Sequence, residues 1–196
     1  FLEAVGPEVE VPADARLLEG EDLRVYPGLI DAWGRAPVQL PQRPDPDDVT
    51  SWDPSRAAQG FTPHVRVADH LTATGSDLAD RRADGIVASG VFPTTGLAPG
   101  LGAVLLHRPE AEVPRELVVR PEVGLALTFQ GAPGAYPSTL FGVIAHLRQS
   151  FRDARRLGTL RQEYEESPNG LTVPAWDPDF PVLRRVAGAG LPAFFW

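Results

Sequence analysis

The side chains best suited to catalysis or metal binding are the four histidines, at positions 64, 70, 107 and 146. Imidazole binds metals and acts as a general base near neutral pH. No two of them stand at the alternate or i, i+4 spacing that places a ligand pair on one strand or helix face. We expect His64 and His70 to lie in a solvated loop. We expect His107 to be at the surface or satisfied by hydrogen bonds, and His146 to face solvent.

Four other patterns have residue types that could react or bind a ligand. Asp45, Asp47 and Asp48 lack the spacing, the glycine and the glutamate of a calcium loop, so a solvated acidic loop is favoured. The glycine-rich segment 94–102 lacks the Gly-Lys-Ser/Thr of a phosphate loop and predicts a tight turn. None of the serines lies in a Gly-x-Ser-x-Gly elbow. Asp179 is expected at a helix start, where an acidic residue suits the helix dipole.

The composition excludes several kinds of chemistry. The 196 residues include no cysteine, and every one of the 18 basic residues is an arginine. Disulfides, thiolate nucleophiles and Schiff-base lysines are therefore impossible. A net charge of −8 with dispersed arginines argues against binding to nucleic acid, which needs a concentrated basic face. No apolar run approaches the roughly 18 residues of a membrane span.

The elements that must position these residues alternate between strands and helices. Residues 1–28 predict short strands and turns, and 36–56 is a proline-rich irregular loop. Predicted strands cover residues 29–33, 86–92, 103–106, 116–119, 124–129 and 191–196. Predicted helices cover 76–84, a long segment capped by Ser138, and 178–186. This alternation predicts an α/β fold with a parallel sheet or barrel.

Residues 21–32, with the sequence EDLRVYPGLIDA, resemble the amidohydrolase superfamily. There a similar phrase closes a small β-sandwich and opens the first strand of a TIM barrel. Segments 82–86, 96–104 and 136–138 resemble the imidazolonepropionase-like branch. The resemblance implies that residues 1–28 form part of a composite β-sandwich. Residues 29–196 would then form the first half of a (β/α) barrel, about four βα units, with the 36–56 loop inserted.

The same resemblance implies a metal-dependent hydrolase of C–N bonds, in which a divalent metal lowers the pKa of bound water. The family carries a His-x-His pair on strand 1, and the corresponding positions in this sequence are Trp33, Gly34 and Arg35. Tryptophan offers no lone pair to a metal, and guanidinium is a permanent cation. One interpretation is structural: Trp33 and Arg35 plug the barrel mouth, and Arg35 pairs with an aspartate of the 36–56 loop. The other is that Arg35 binds an anionic ligand.

These substitutions predict a catalytically degenerate binding or assembly component with no cofactor in this chain. The first alternative is an active amidohydrolase that uses a divalent metal such as zinc, with ligands in a C-terminal part outside these residues. The second is a non-enzymatic fragment completed by a partner chain. In each case we expect the rest of its own chain, another copy or a partner protein to cover the open side of the barrel.

The chain does not begin with methionine, so we expect an upstream segment, in which a leader is conceivable. The cytoplasm is the default compartment, with secretion or attachment to the envelope left open.

Overall fold

The computed structural model describes residues 4–6, 9–20, 22–44, 50–131 and 136–196. The predicted acidic loop at Asp45, Asp47 and Asp48 lies outside these residues. Five strands of the described part form one curled sheet, and their order in the sheet follows their order in the chain. They are β1 (Leu29–Gly34), β2 (Ile86–Val91), β3 (Gly100–Leu106), β4 (Val118–Leu127) and β5 (Ala193–Phe195).

The sheet is mixed, so the prediction of a parallel sheet is wrong for β3. Strand β1 pairs in parallel with β2, and β4 pairs in parallel with β5, whereas β3 runs antiparallel to both of its neighbours. Connection length explains the difference. Strand β3 is joined to β2 and to β4 by the short links 92–99 and 107–117, which are too short for a crossover and produce hairpins. The longer links contain helices and bring the chain back to the next strand in the same direction; they are residues 35–85, between β1 and β2, and 128–192, between β4 and β5.

Two strands predicted at 116–119 and 124–129 form the single strand β4. Gly102 pairs with Gly124 and Val104 with Arg120, so β4 carries extra residues between these two pairs. Pro121 lies in that irregularity, where its missing N–H breaks no regular ladder. The proline therefore marks a bulge within a strand and not a strand end.

The described part of the chain contains five α-helices: α1 (Arg56–Gln59), α2 (Val67–His70), α3 (Ala79–Ala83), α4 (Leu140–Glu166) and α5 (Asp179–Ala187). The hydroxyl of Thr139 accepts from Gly142 N at 3.2 Å, so Thr139 caps α4 in place of the expected Ser138. The predicted helix 76–84 is a 3₁₀ turn, Ser76–Leu78, followed by α3. Gly85 follows α3 with a φ of +82°, the left-handed conformation that commonly ends a helix.

The sequence predicts an apolar stripe of Leu140, Ile144, Leu147, Phe151 and Ala154 on the long helix, and only its last three residues pack into the main core, since Leu140 is 55% exposed. Leu147 and Ala154 of α4 are buried with Leu183 of α5 against Leu125 and Leu127 of β4. A second cluster, around Val67, Leu78, Leu105 and Leu117, fills the space between β3 and the short helices. The two helices of the 128–192 crossover thus hold one side of the sheet.

The described residues before β1 form no strand, although the sequence predicts short strands there. Val25, in the alternating sequence LRVY of residues 23–26 that favours a strand, is 93% exposed. A strand requires a hydrogen-bonded neighbour, and none of the described residues pairs with this segment. The assignment of 1–28 to a composite sandwich stays a prediction, as does that of 29–196 to half a barrel. None of the helices in the described part is both long and apolar enough to cross a membrane.

Candidate functional site

The carboxyl ends of four strands meet at one edge of the sheet. Strands β1, β2, β4 and β5 run in the same direction, because the reversal at β3 is undone at β4. The chain leaves this edge after Gly34, Val91, Leu127 and Phe195. Ligands of barrels and open α/β sheets bind beyond the carboxyl ends of the strands, so this edge is the first place to seek a site.

An aromatic cluster covers the sheet at this edge: Trp33, Phe92, Phe194 and Trp196. The Trp33 ring stacks on Phe92 with centroids 4.5 Å apart and planes 9° from parallel. Its centroid is 5.8 Å from that of Trp196, and Phe92 and Phe194 lie 4.8 Å apart. Such offset stacking adds to the stabilisation from burial alone.

Two glycines make room for this aromatic cluster. A methyl group at Gly102 of β3 would overlap the ring of Phe92, and one at Gly124 of β4 would overlap the ring of Phe194. The paired glycines face each other across the two strands, so they form a flat floor on which the rings lie. The absence of side chains at these two glycines therefore leaves room for the rings of Phe92 and Phe194 beside Trp33.

Arg35 is exposed, and its side chain makes no ion pair or hydrogen bond with the described residues. The aspartates proposed as its partners are those at 45, 47 and 48, together with Asp53. The first three lie outside the described residues. Both roles considered for Arg35, ion pairing and anion binding, therefore stay predictions.

A cavity of about 170 Å³ lies at the same edge, beside the aromatic cluster. The side chains with polar groups in its lining are those of Arg43, Gln59, Thr94, Thr95, Thr128, Gln130 and Trp196. Thr94 and Thr95 follow β2, Thr128 and Gln130 follow β4, and Trp196 follows β5. The ends of three parallel strands therefore converge on one cavity.

Arg43 reaches this cavity from the 36–56 loop, and the sequence-based predictions did not include it. Its Nη2 donates to the carbonyl oxygen of Gln59 at 3.1 Å. Its Nε is buried and has no hydrogen-bond partner within the described residues. Burial lowers the pKa of Arg43 from its ordinary value, and guanidinium nevertheless remains charged. The only signal in the sequence is an arginine between prolines, at 41 and 44.

Two glycines with positive φ form a cradle for the Arg43 guanidinium. Gly60 has a φ of +60° and Gly96 a φ of +131°. A methyl group on Gly60 would overlap Nη2 of Arg43, and one on Gly96 would come within 2.7 Å of the same atom. The Gly60 and Gly96 segments are joined by a hydrogen bond from Ala98 N to Gly60 O at 3.1 Å. The 94–102 loop, in which a tight turn is expected, therefore packs through Gly96 against the guanidinium of Arg43.

His64 pairs with a helix and not only with its own loop. The expectation that His64 and His70 lie in a solvated loop holds for the exposed His64, whereas His70 is the last residue of α2. Between them, Arg66 and Asp69 form an ion pair at 2.7 Å. His64 Nδ1, however, lies 2.6 Å from Oδ1 of Asp179. Oδ2 of Asp179 accepts from Arg56 at 3.0 Å. Asp179 begins α5 as predicted, and it also joins that helix to two distant segments.

His107 and His146 differ in how burial is compensated. The ring nitrogens of His107 lie 2.9 Å from Ile86 O and 2.9 Å from Ser89 Oγ, which confirms a satisfied histidine. The prediction of a solvent-facing His146 is wrong, because its ring packs edge-on against Phe61 with centroids 5.2 Å apart. Its Nε2 is buried without a partner in the described part of the chain. Burial lowers the pKa of both histidines.

The donor set at the carboxyl edge does not suit a divalent metal. No group of three or more histidine, aspartate or glutamate side chains positioned to hold a metal occurs within 4–6, 9–20, 22–44, 50–131 and 136–196. The cavity is lined by an arginine, threonines, glutamines and a tryptophan instead. The guanidinium repels a metal cation, tryptophan offers it no lone pair, and neutral hydroxyl and amide oxygens are weak ligands without a carboxylate or imidazole beside them. Within the described residues, the metal site that the family resemblance implies does not fit.

Parallel strands linked by helical crossovers, with a cavity beyond their carboxyl ends, define the α/β class of barrels and open sheets. Neither a protein-family model nor a curated protein matches this chain. The structure is similar to the crystal structure of an amidohydrolase from Thermotoga maritima MSB8, with a TM-score of 0.64 and 19% sequence identity. The match covers 92% of this chain and 49% of that chain. The chain therefore shares its fold with about half the length of that amidohydrolase.

Proposed function

We propose that this protein is an amidohydrolase-like binding component that has lost the metal chemistry of strand 1. The observation that carries the proposal is the stacking of Trp33 on Phe92, at the position where the resembled family has a metal ligand. Trp33 contacts the rings of Phe92 and Trp196, so a coordinating group in its place would remove these aromatic contacts. The site is then a place for binding and not for metal-assisted hydrolysis.

The shared fold supports the superfamily part of this proposal. The structural match, with a TM-score of 0.64, extends over nearly the whole chain. A curled sheet with helical crossovers is consistent with part of a (β/α) barrel. The imidazolonepropionase-like branch rests on the resemblance of segments 82–86, 96–104 and 136–138 alone. We keep that branch as the working hypothesis for the origin of the fold.

A second candidate function is an active metal-dependent amidohydrolase. It is favoured by one observation, namely that the chain spans about half the length of the similar amidohydrolase. In that case the ligands, and a metal such as zinc, would belong to a further part of the protein outside these 196 residues. Trp33 would then line the mouth of a site whose metal is held by later strands.

Metal analysis of the protein expressed from its full reading frame separates the two candidates. We expect less than a stoichiometric amount of zinc, iron or manganese after purification without chelators. We also expect added zinc to leave the melting temperature unchanged, since a ligand that binds only the folded state would raise it. One equivalent of a divalent metal per chain, together with a zinc-dependent rise in melting temperature, would reject the binding-component proposal in favour of the second candidate.

A further inference from the structure

The cavity at the carboxyl edge contains a positive charge that no described acidic side chain neutralises. Arg43 lines it, and none of the ion pairs among the described residues includes Arg43. Its Nε is shielded from solvent and lacks a partner in the described part of the chain. The Arg43 side chain is partly buried, and partial loss of water by a cation with no counter-charge among the described residues is costly, because nothing replaces that water. An anion that entered the cavity would offset this cost.

The Arg43 guanidinium is held in place before any ligand arrives. The carbonyl of Gln59 accepts from Nη2, and the Gly60–Gly96 cradle leaves space for that atom and for no additional side chain. Both glycines have a φ in the left-handed region, which other residues rarely adopt. A prepositioned donor loses less conformational entropy on binding, so the arrangement favours affinity for its ligand.

The remaining lining indicates the size and chemistry of the ligand. The hydroxyls of Thr94 and Thr95 and the amide of Gln130 are exposed at the mouth and are free to rotate towards a bound group. Leu97 and the Trp196 ring provide apolar surface beside them. A volume of about 170 Å³ accommodates a small organic molecule but no polymer. Apolar surface next to a guanidinium suits an organic acid better than a fully hydrated inorganic anion.

We propose that this cavity binds a small organic carboxylate, with Arg43 as the charged anchor and the threonine and glutamine groups around it as further donors. The inference deepens the proposed function and rests on it for the nature of the site as a binding site. It assigns the anion-binding role to Arg43, which lines the cavity, and not to Arg35, which does not.

The test measures binding of butyrate to the protein by isothermal titration calorimetry, with butyramide as the uncharged probe of the same shape and inorganic phosphate as the hydrophilic anion. We expect butyrate to bind, and butyramide and phosphate to bind at least about tenfold more weakly, since charge-assisted hydrogen bonds are the stronger ones. Equal affinity for butyramide would overturn the anionic anchor. Equal or tighter binding of phosphate would overturn the carboxylate assignment.

Two variants and one matched control assign the site. Arg43→Gln should weaken butyrate binding at least about tenfold, and Arg35→Gln should leave it unchanged. Thr94→Val changes an exposed hydroxyl to a methyl group and should weaken binding about threefold while the protein stays folded, so it tests the site even if Arg43→Gln fails to fold. Unchanged affinity in Thr94→Val, or a loss in Arg35→Gln equal to that in Arg43→Gln, would overturn the assignment.

The outcome is separable from that of the proposed function. Butyrate binding that depends on Arg43 in a protein with stoichiometric zinc would keep this site and reject the loss of metal chemistry. A metal-free protein that binds no butyrate would keep the loss of metal chemistry and reject the carboxylate site.

Discussion

At the scale of single residues, two buried imidazoles show how local compensation decides stability. His107 exchanges its contacts with water for two protein hydrogen bonds of 2.9 Å. His146 packs against Phe61 and leaves Nε2 without a partner in the described structure. An unpaired buried polar atom loses its hydration and gains nothing in return. His146 therefore contributes less to the free energy of unfolding than the packing of its ring alone would give.

We predict that His146→Phe stabilises the protein and flattens its dependence on pH. Burial, and secondarily the charge of Arg56, lowers the pKa of His146 from its ordinary value of 6.5. Below that ordinary value the unfolded chain binds a proton that the folded chain does not, so the free energy of unfolding falls with falling pH until the folded pKa is reached. The phenyl ring removes this loss and the unpaired nitrogen, with a gain of about 1 kcal/mol at neutral pH.

Urea unfolding at pH 7.5 and pH 5.5 measures both effects of His146→Phe, with pH values that bracket the ordinary histidine pKa of about 6.5. His70→Gln is the matched control, because its ring has no hydrogen bond to the described residues. An unchanged difference between the two pH values in His146→Phe would refute the role assigned to this ring.

At the scale of elements, one carboxylate connects α5 to two segments more than a hundred residues earlier in the chain. Asp179 accepts from Arg56 of α1 and pairs with His64 of the following loop, and its side chain is 5% exposed. The guanidinium of Arg56 also lies 4.9 Å from the Phe180 ring centroid. The sequence predicts Asp179 at a helix start because an acidic residue suits the helix dipole. Its pairing with Arg56 and His64 depends on how α5 packs against these distant segments.

We predict that Asp179→Asn destabilises the protein by about 1–3 kcal/mol, because it removes a buried charge on which two groups depend. Asp69→Asn is the matched control. It breaks the Arg66–Asp69 pair, whose side chains are 42% and 50% exposed, and should change stability by less than about 1 kcal/mol. Guanidinium chloride unfolding of the two variants gives the comparison. Equal losses would show that the Asp179 cluster acts as an ordinary surface pair.

At the scale of the whole molecule, the described sheet ends in two edges, β1 and β5. Ile30 on β1 is 73% exposed and Leu29 is 63% exposed. An apolar edge strand with free backbone groups pairs readily with another strand. This observation supports the prediction that the rest of the chain, another copy or a partner protein covers the open side.

We predict that the 196-residue chain self-associates in a concentration-dependent manner and that Ile30→Lys suppresses the association, because a charge on an edge strand opposes pairing. Val25→Lys is the matched control, since Val25 is also exposed but lies outside the sheet. Sedimentation velocity over a range of concentrations measures the effect. A monomer at every concentration, with a cooperative thermal transition, would contradict this prediction and the prediction of a fragment that needs a partner.

The sequence predicts some residues of the candidate site but not its charged one. Positions Trp33 and Arg35 could be singled out because they depart from the His-x-His pattern of the family that the sequence resembles. Arg43 was not, because it belongs to an irregular proline-rich loop whose path depends on the Gly60–Gly96 cradle. Loops of this kind carry no periodic pattern, so the direction of their side chains cannot be read from neighbours in the chain.

The sequence by itself determined strands β1 and β2, the long helix α4 with its core positions Leu147 and Ala154, and the absence of thiol and lysine chemistry. These follow from residue type and from periodicity over a few neighbours, which local sterics and burial dictate. Only the tertiary structure decided that β3 runs antiparallel, that Asp179 reaches His64, and that Arg43 lines a cavity at the carboxyl edge. Each of these depends on contacts between distant segments, and their free energies are set by packing and desolvation after the chain has folded.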